Sequence, residues 1–246
     1  MADAGWRADA LLGGRLRLSQ PPTGYRIAID PILLQAAVDP SPGGHVLDLG
    51  AGVGGAALPL AWRRPDLVVF GLERNADLAA AMVANAQRNG LEDRVLVVRG
   101  DVASPPFRRQ AFDAVMTNPP FMPASRATSP GTVLGRQARQ ENQVTLAAWI
   151  AAAAALVRPG GQLVVVHRAD RLGELAAALA PSSGGLELLP LWPKRGRPAK
   201  RVLVRAWIGR NRPSRVLAGL VLHGPDDHFT GDADRILRDG EPLRWE

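Results

Sequence analysis

The chain has 246 residues, 46% of them apolar, and a net charge of +7 carried almost wholly by arginine, since Lys194 and Lys200 are its only lysines. That length and apolar content fit one large domain, or a domain with appendages, around a sizeable core, and exclude a disordered chain. The absence of cysteine excludes disulfides, thiolate metal sites and cysteine nucleophiles, and the four histidines (His45, His167, His223, His228) offer no pair with helical metal-motif spacing, so no metal is expected.

The first twelve residues contain acids and no apolar run of signal-peptide length. The most apolar run, Leu146 to Val157, is mostly alanine and too short to span a bilayer. A soluble, cytoplasmic protein with no membrane contact is expected. The arginine excess either keeps the protein soluble or meets a polyanion, for which bidentate, stacking guanidinium groups are well suited.

In chain order, Leu11, Leu12, Leu16 and Leu18 alternate with Arg15 and Arg17 between Gly-Gly and Pro-Pro punctuation, which predicts a strand pair. Asp30-Pro31 starts a helix, with Asp30 as N-cap, running to about Val38. Strands and helices then alternate. Strands are expected at 46–49, 67–72, 94–98, 111–116 and 162–166, and helices at 56–63, 76–89, 145–157 and 171–179, with Arg158 to Gly161 closing the third of these. Near-continuous apolar strands in βα alternation mean a parallel sheet covered on both faces. Leu186 to Trp192 and Arg201 to Ile208 follow without a helix between them and predict an antiparallel hairpin at the sheet edge. One more short strand at 216–222 and a terminal helix at 232–238 complete the pattern. The expected organisation is a strand pair and helix over 1–40 packing on a ligand site, an α/β domain over 41–210, and an extension over 211–246.

Two stretches carry chemistry. The first is the turn Asp48-Leu49-Gly50-Ala51-Gly52-Val53-Gly54-Gly55 between strand and helix. Its glycines let the backbone pass close to a ligand, the helix start favours an anion, and Asp48 suits a nearby positive charge. The spacing is G-x-G-x-G, not the G-x-G-x-x-G of dinucleotide folds. The bland alternative is a tight turn with no ligand. Glu73 ends the next strand, where a carboxylate can accept both ribose hydroxyls of a nucleoside, and Asp101 follows the third strand, where it can accept from an adenine amine. Either acid alone is more often a solvated strand-end residue or a cap.

The second stretch is Asn118-Pro119-Pro120-Phe121 at the end of the fourth strand. Two prolines can neither continue a ladder nor enter a helix interior, so the chain turns there and projects Asn118 and Phe121 from a stiff loop. That edge of an open α/β sheet is where ligands bind, although a rigid exit turn is the alternative.

This order of features resembles the class I S-adenosylmethionine-dependent methyltransferases, and Asn118 to Phe121 resembles the Asn-Pro-Pro-aromatic motif of their amino-methylating branch. The chain is similar to the bacterial tRNA (adenine-N6) methyltransferases that modify the adenine next to the anticodon of a valine tRNA. The similarity runs through Gln20-Pro21, Gly24-Tyr25-Arg26 with Asp30, Asp48 to Gly54, Glu73, Asp101, Asn118 to Phe121, His167 to Leu172, Leu191-Trp192-Pro193 and Pro198 to Val202. The motif ends in Phe where Tyr is common.

The resemblance implies a Rossmann-like fold with a central, mostly parallel seven-stranded sheet, a C-terminal antiparallel hairpin and helices on both faces. It implies S-adenosyl-L-methionine bound by Asp48, Gly50, Ala51, Gly52, Glu73, Arg74, Asp101, Val102 and Asn118, with residues 20–26 closing over its methionine end. Catalysis would fall to Asn118, Pro119, Pro120 and Phe121. The Asn118 oxygen and the Pro119 carbonyl would accept the two amine hydrogens, and Phe121 would stack on the extruded base.

The partner expected is tRNA. Nine lysines and arginines with no acid lie between Lys194 and Arg215, among them Lys194, Arg195, Arg197 and Lys200, which suits a phosphate track; a solvated, charge-protected hairpin edge is the alternative. The segment 123–140, with Arg126, Arg136 and Arg139, is long enough to act as a substrate lid. Trp149, Trp192 and Trp207 sit in apolar surroundings and are expected in the core. Two other functions fit part of the pattern. A glutamine side chain in a protein is also a planar nitrogen acceptor, but the enzymes that methylate it usually carry a longer helical N-terminal region. A nucleic-acid-binding module with a silent cofactor pocket would not need Asp48, Glu73, Asp101 and Asn118 together.

Overall fold

The computed structural model describes residues 5–22, 27–120 and 144–245. Its strands are β1 (Arg7–Leu11), β2 (Leu16–Gln20), β3 (His45–Leu49), β4 (Val68–Glu73), β5 (Val95–Arg99), β6 (Phe112–Thr117), β7 (Val157–Arg168), β8 (Ser183–Lys194), β9 (Arg201–Ile208), β10 (Arg215–Val216) and β11 (Leu220–His223). The helices are α1 (Ile29–Ala36), α2 (Ala57–Arg63), α3 (Ala76–Arg88), α4 (Leu146–Leu156), α5 (Leu172–Leu179) and α6 (Gly231–Asp234).

The main sheet runs β5-β4-β3-β6-β7-β9-β8, parallel from β5 to β7, with β9 antiparallel to both of its neighbours. This is the expected seven-stranded sheet. Two short strands, β10 and β11, pair in parallel with the outer side of β8 and bring the sheet to nine strands. The β8–β9 hairpin is therefore not the sheet edge, contrary to expectation: β8 is twelve residues long, and its outer side is covered by β10 and then by β11.

The strands are buried on both faces. Val46, Met116, Val164 and Val166 belong to the core under α1, α2 and α3, whereas Leu47, Leu49, Val115, Leu163 and Val165 point into the core under α4 and α5. Successive residues alternate between the two faces, so a continuous apolar run serves both cores. Local signals fix the helix starts: Asn75 Oδ1 accepts from the Asp77 and Leu78 amides, and Thr145 Oγ1 accepts from the Ala148 amide.

Two local expectations are corrected. Asp30 is not the N-cap of α1; Ala28 holds that position, and the Asp30 carboxylate, buried in the first turn, pairs with Arg201 Nε at 2.9 Å. Arg158 to Gly161 do not close a helix before a new strand, because β7 begins directly at Val157 and absorbs them as an irregularity between the pairs Phe112–Val157 and Ala114–Gln162. Pro159 cannot donate to a ladder and Gly160 has φ +79°, which makes that insertion tolerable.

The β1–β2 hairpin is stitched to α3 by two side-chain amides one turn apart. Asn85 accepts from the Ser19 amide at 2.7 Å and donates to the Ser19 carbonyl at 3.0 Å; Asn89 does the same for Arg17 at 2.9 and 2.7 Å. The two asparagines thus supply the outer edge of β2 with the pairing a further strand would give.

Candidate active site

Register places the candidate residues at one edge of the sheet. Leu49 pairs with Leu72 on one side and with Thr117 on the other, and Leu72 pairs with Val98. Gly50, Glu73, Asn118 and Arg99 are therefore the next residues on four adjacent strands, about 5 Å from strand to strand. The connections from β3 to β5 and from β6 onward leave in opposite directions, so Gly50 and Asn118 flank the point where strand order reverses.

The glycine turn is closed by β4. The Gly50 and Ala51 amides both donate to the Leu72 carbonyl, at 2.9 and 3.0 Å, and the Gly52 amide donates to Glu73 Oε2 at 2.8 Å. Gly50, Gly52 and Gly54 have φ of +81°, +58° and +93°, a region that disfavours side chains. The anion cradle expected of this turn is not built, because its first three amides are already engaged.

Asp48, 3% exposed, reaches over the turn and accepts from the Ala57 amide at 3.1 Å, tying β3 to the start of α2. Burial pushes its carboxyl up to about 7; the Ala57 amide opposes the rise and the Glu73 carboxylate adds to it. A buried carboxyl in this state gains from a cation brought beside it. Glu73 accepts from Gly52 with one oxygen and from Asn75 with the other, at 2.8 Å each, and a carboxylate so engaged keeps lone pairs for hydroxyl donors. Asp101 accepts from the Ala103 amide at 2.9 Å and pairs with Arg74 at 3.3 Å, both side chains being 40% exposed, while Val102 is buried.

Asn118 closes the group. Its Oδ1 is buried and has no hydrogen-bond partner among the described residues. An acceptor left so costs about 1–3 kcal/mol and calls for a reason. Pro119 is buried and Pro120 exposed, so the stiff turn presents the amide inward. Phe121, Arg126, Arg136, Arg139, the 123–140 segment and Gly24 to Arg26 lie outside the described residues.

The sequence of residues 30–176, well over half of the chain, matches the model of the family described as "Methyltransferase small domain". The chain belongs to that family. A tRNA1(Val) (adenine(37)-N6)-methyltransferase of Porphyromonas gingivalis is 33% identical over 172 residues, 65% of this chain and 66% of that protein. A release factor glutamine methyltransferase of Gloeobacter violaceus is 35% identical over 83 residues, 34% of this chain and 29% of its own. The chain thus spans just under two thirds of the first relative's length and less than a third of the second's. Among solved structures, a predicted O-methyltransferase from Agrobacterium tumefaciens is similar at TM-score 0.73 and 26% identity, covering 87% of this chain and 98% of that one.

Within this methyltransferase-family chain, the three tryptophans expected in the core are all only half-buried. Trp149 lies against the glycine turn: a Cβ built on Gly50 would stand 2.9 Å from its Cζ2. Its Nε1 donates to Thr117 Oγ1 at 2.9 Å, and that hydroxyl donates to the Leu49 carbonyl at 2.7 Å. Trp149 is thus a wall of the crevice, which the alanine-rich run around it hid. Trp207 is flanked by the guanidinium groups of Arg212 and Arg205 at 4.5 and 5.3 Å. Trp192 donates to the Ala218 carbonyl at 3.0 Å.

The basic tract divides. Lys194 pairs with Asp227, Arg201 with Asp30, and Arg205 and Arg215 with Glu187. Burial raises the Glu187 carboxyl, but Arg205 outweighs it and holds the group below its ordinary value. Arg195, Arg197 and Lys200 form no ion pair with a described acid. At the end of β7, burial reinforced by Arg171 pushes His167 down to about 4, so it is neutral near pH 7. Among the described residues no cluster of three or more His, Asp or Glu is arranged to hold a metal ion, and no helix is long and apolar enough to cross a membrane.

Proposed function

We propose that this protein transfers a methyl group from S-adenosyl-L-methionine to the exocyclic N6 amine of an adenine in tRNA, at the position next to the anticodon. The observation that carries the reading is the buried Asn118 Oδ1, without a partner among the described residues, at the strand-order reversal. The cofactor fits the residues present: a raised, buried Asp48 suits its ammonium group, Glu73 its ribose hydroxyls, and Asp101 with Val102 its adenine. Gly50, Ala51 and Gly52 contribute backbone with little or no side chain in the way, and Arg74 steers Asp101. When bound, S-adenosylmethionine supplies an electrophilic sulfonium methyl.

The chain's own residues do the rest. An N6 amine is a weak nucleophile because its lone pair is delocalised into the base. Asn118 Oδ1 and the Pro119 carbonyl accept its two hydrogens, which localises the lone pair on nitrogen and fixes its direction. Acceptors held in place before the reaction stabilise the positive charge that develops on that nitrogen and remove much of the entropic barrier. The displaced proton passes to solvent, since neither acceptor takes up a proton. Phe121 stacks on the extruded adenine, a contact worth about 1–3 kcal/mol. Ile27, just before α1, lies against Gly55 beside the glycine turn, which supports packing of the N-terminal region on the cofactor site.

A glutamine amide in a release factor is the second reading, favoured by the similarity of residues here to a protein of that name. Both acceptors are planar nitrogens that Asn118 can hold. The exposed Arg195, Arg197 and Lys200 on the same sheet edge support RNA. Incubation with labelled methyl donor and separate tRNA and release-factor substrates tests the choice: label in tRNA as N6-methyladenine is expected, and label in protein alone would select the second reading.

A further inference from the structure

The sheet edge that carries Asn118 also carries a second concave site. Register places it there: Arg168, at the end of β7, pairs with Arg201 at the start of β9, Leu191 near the end of β8 pairs with that same Arg201, and His223 at the end of β11 pairs with Lys194. The β8–β9 turn, residues 195–200, thus leaves the sheet on the Asn118 side, between the second and third strands from β6 and about 10–14 Å away laterally.

Between that turn and β11 lies a cavity of about 530 Å³, within the range of small-ligand sites. Among the described residues, Lys194, Arg197 and Lys200 line it with one carboxylate, Asp227, and Pro193 and His223 form part of its wall. The turn is braced. The Arg197 amide donates to the Lys194 carbonyl at 3.1 Å, and the Lys200 carbonyl accepts from the Ala169 amide at 3.1 Å. His223 Nδ1 is 3.2 Å from the Pro193 carbonyl, with one ring face stacked on Phe229 at 4.8 Å. Asp227 is 82% exposed and its carboxylate lies 2.7 Å from Lys194 Nζ, where it stands in for an anion that would compete with it.

We infer that this cavity is a docking site for a phosphodiester of the RNA strand flanking the target base, held by Arg197, Lys200 and the Lys194 that Asp227 covers. Three cations on a braced turn give a preformed phosphate site, and a strand entering it lies on the same edge as the pocket that receives the base. The site fixes where the RNA lies, while Asn118 fixes which atom reacts. This inference rests on the RNA reading of the proposed function.

The test is tRNA binding to the full chain, read by fluorescence anisotropy between 50 and 200 mM salt, beside methyl transfer to the same tRNA. Arg197→Ala with Lys200→Ala should weaken tRNA binding roughly tenfold and lower the salt slope by about 0.7 for each phosphate no longer neutralised. Cofactor affinity and kcat should stay as in the wild type while KM for tRNA rises. Asp227→Asn should tighten binding severalfold by releasing Lys194. Unchanged affinity and slope in the double variant, with the wild type methylating tRNA, would overturn the docking site alone. Loss of release-factor binding instead of tRNA binding would overturn its assignment to RNA. If the wild type binds tRNA through these residues yet transfers no methyl to it, the proposed function fails and the docking site stands.

Discussion

The indole of Trp149 packs on Gly50, close enough that no side chain fits between them, and Trp149 is held there by its bond to Thr117. Gly50→Ala meets two penalties: a φ of +81° and the indole 2.9 Å away. It should destabilise the fold by about 2–3 kcal/mol, and Trp149→Ala made in the same chain should relieve the steric part but not the backbone part. Chemical denaturation of the two single variants and the double variant measures this as a coupling energy of about 1 kcal/mol or more. Strict additivity would separate the two residues.

Asn118→Ala removes the acceptor and leaves the cofactor contacts of Asp48, Glu73 and Asp101 in place. Single-turnover transfer should fall about 10²–10³-fold or more, while calorimetric affinity for S-adenosylmethionine stays nearly unchanged. Loss of both would mean that Asn118 serves chiefly to hold the cofactor.

Asp48 makes a pH prediction with a definite sign. In the folded protein its carboxyl keeps a proton up to about pH 7, whereas its ordinary value is 3.8. The folded state therefore binds more protons between those values, and its stability falls as pH rises through that window and levels off above it. Thermal unfolding of the wild type should lose stability from pH 5 to pH 8 relative to Asp48→Asn, whose amide carries no charge. Binding of the cofactor's ammonium should lower the carboxyl and release a fraction of a proton near pH 7. Calorimetry in buffers of different ionisation heat detects that release; proton uptake would contradict the assignment.

Asn85 is fully buried and donates to the Ser19 and Val53 carbonyls while accepting from the Ser19 amide, joining the N-terminal hairpin, α3 and the glycine turn. Asn85→Leu leaves these groups unpaired and should cost about 2–4 kcal/mol. Hydrogen exchange at the Ser19 amide should accelerate ahead of that in β3 and β6. Equal acceleration throughout would mean the hairpin does not detach first.

Much of this architecture is legible in the chain because the strand runs are apolar on both faces and the glycines and prolines mark their ends. The alternation from His45 to Leu179 follows from that pattern. Asp48, Glu73, Asp101 and Asn118 come to one edge because each lies in the last residues of a parallel strand or within two residues of its end. What escaped depends on long-range partners. Asp30 reads as a cap from Asp-Pro alone, yet Arg201 takes it from across the fold. The glycine turn reads as an anion cradle until the Leu72 carbonyl and Glu73 are seen to occupy its amides. Trp149 reads as core because its neighbours are alanines, and only Gly50 reveals the face it covers. The single strand expected at 216–222 is split into β10 and β11, whose pairing with β8 depends on that strand's length.

The central claim is that Asn118 presents its buried oxygen to the N6 amine of a tRNA adenine. The most direct measurement is mass spectrometry of nucleosides from tRNA incubated with the protein and isotope-labelled S-adenosylmethionine, wild type beside Asn118→Ala. Labelled N6-methyladenosine is expected with the wild type and none above background with the variant. Labelled tRNA from both proteins alike, or label found only in a protein glutamine, would contradict it.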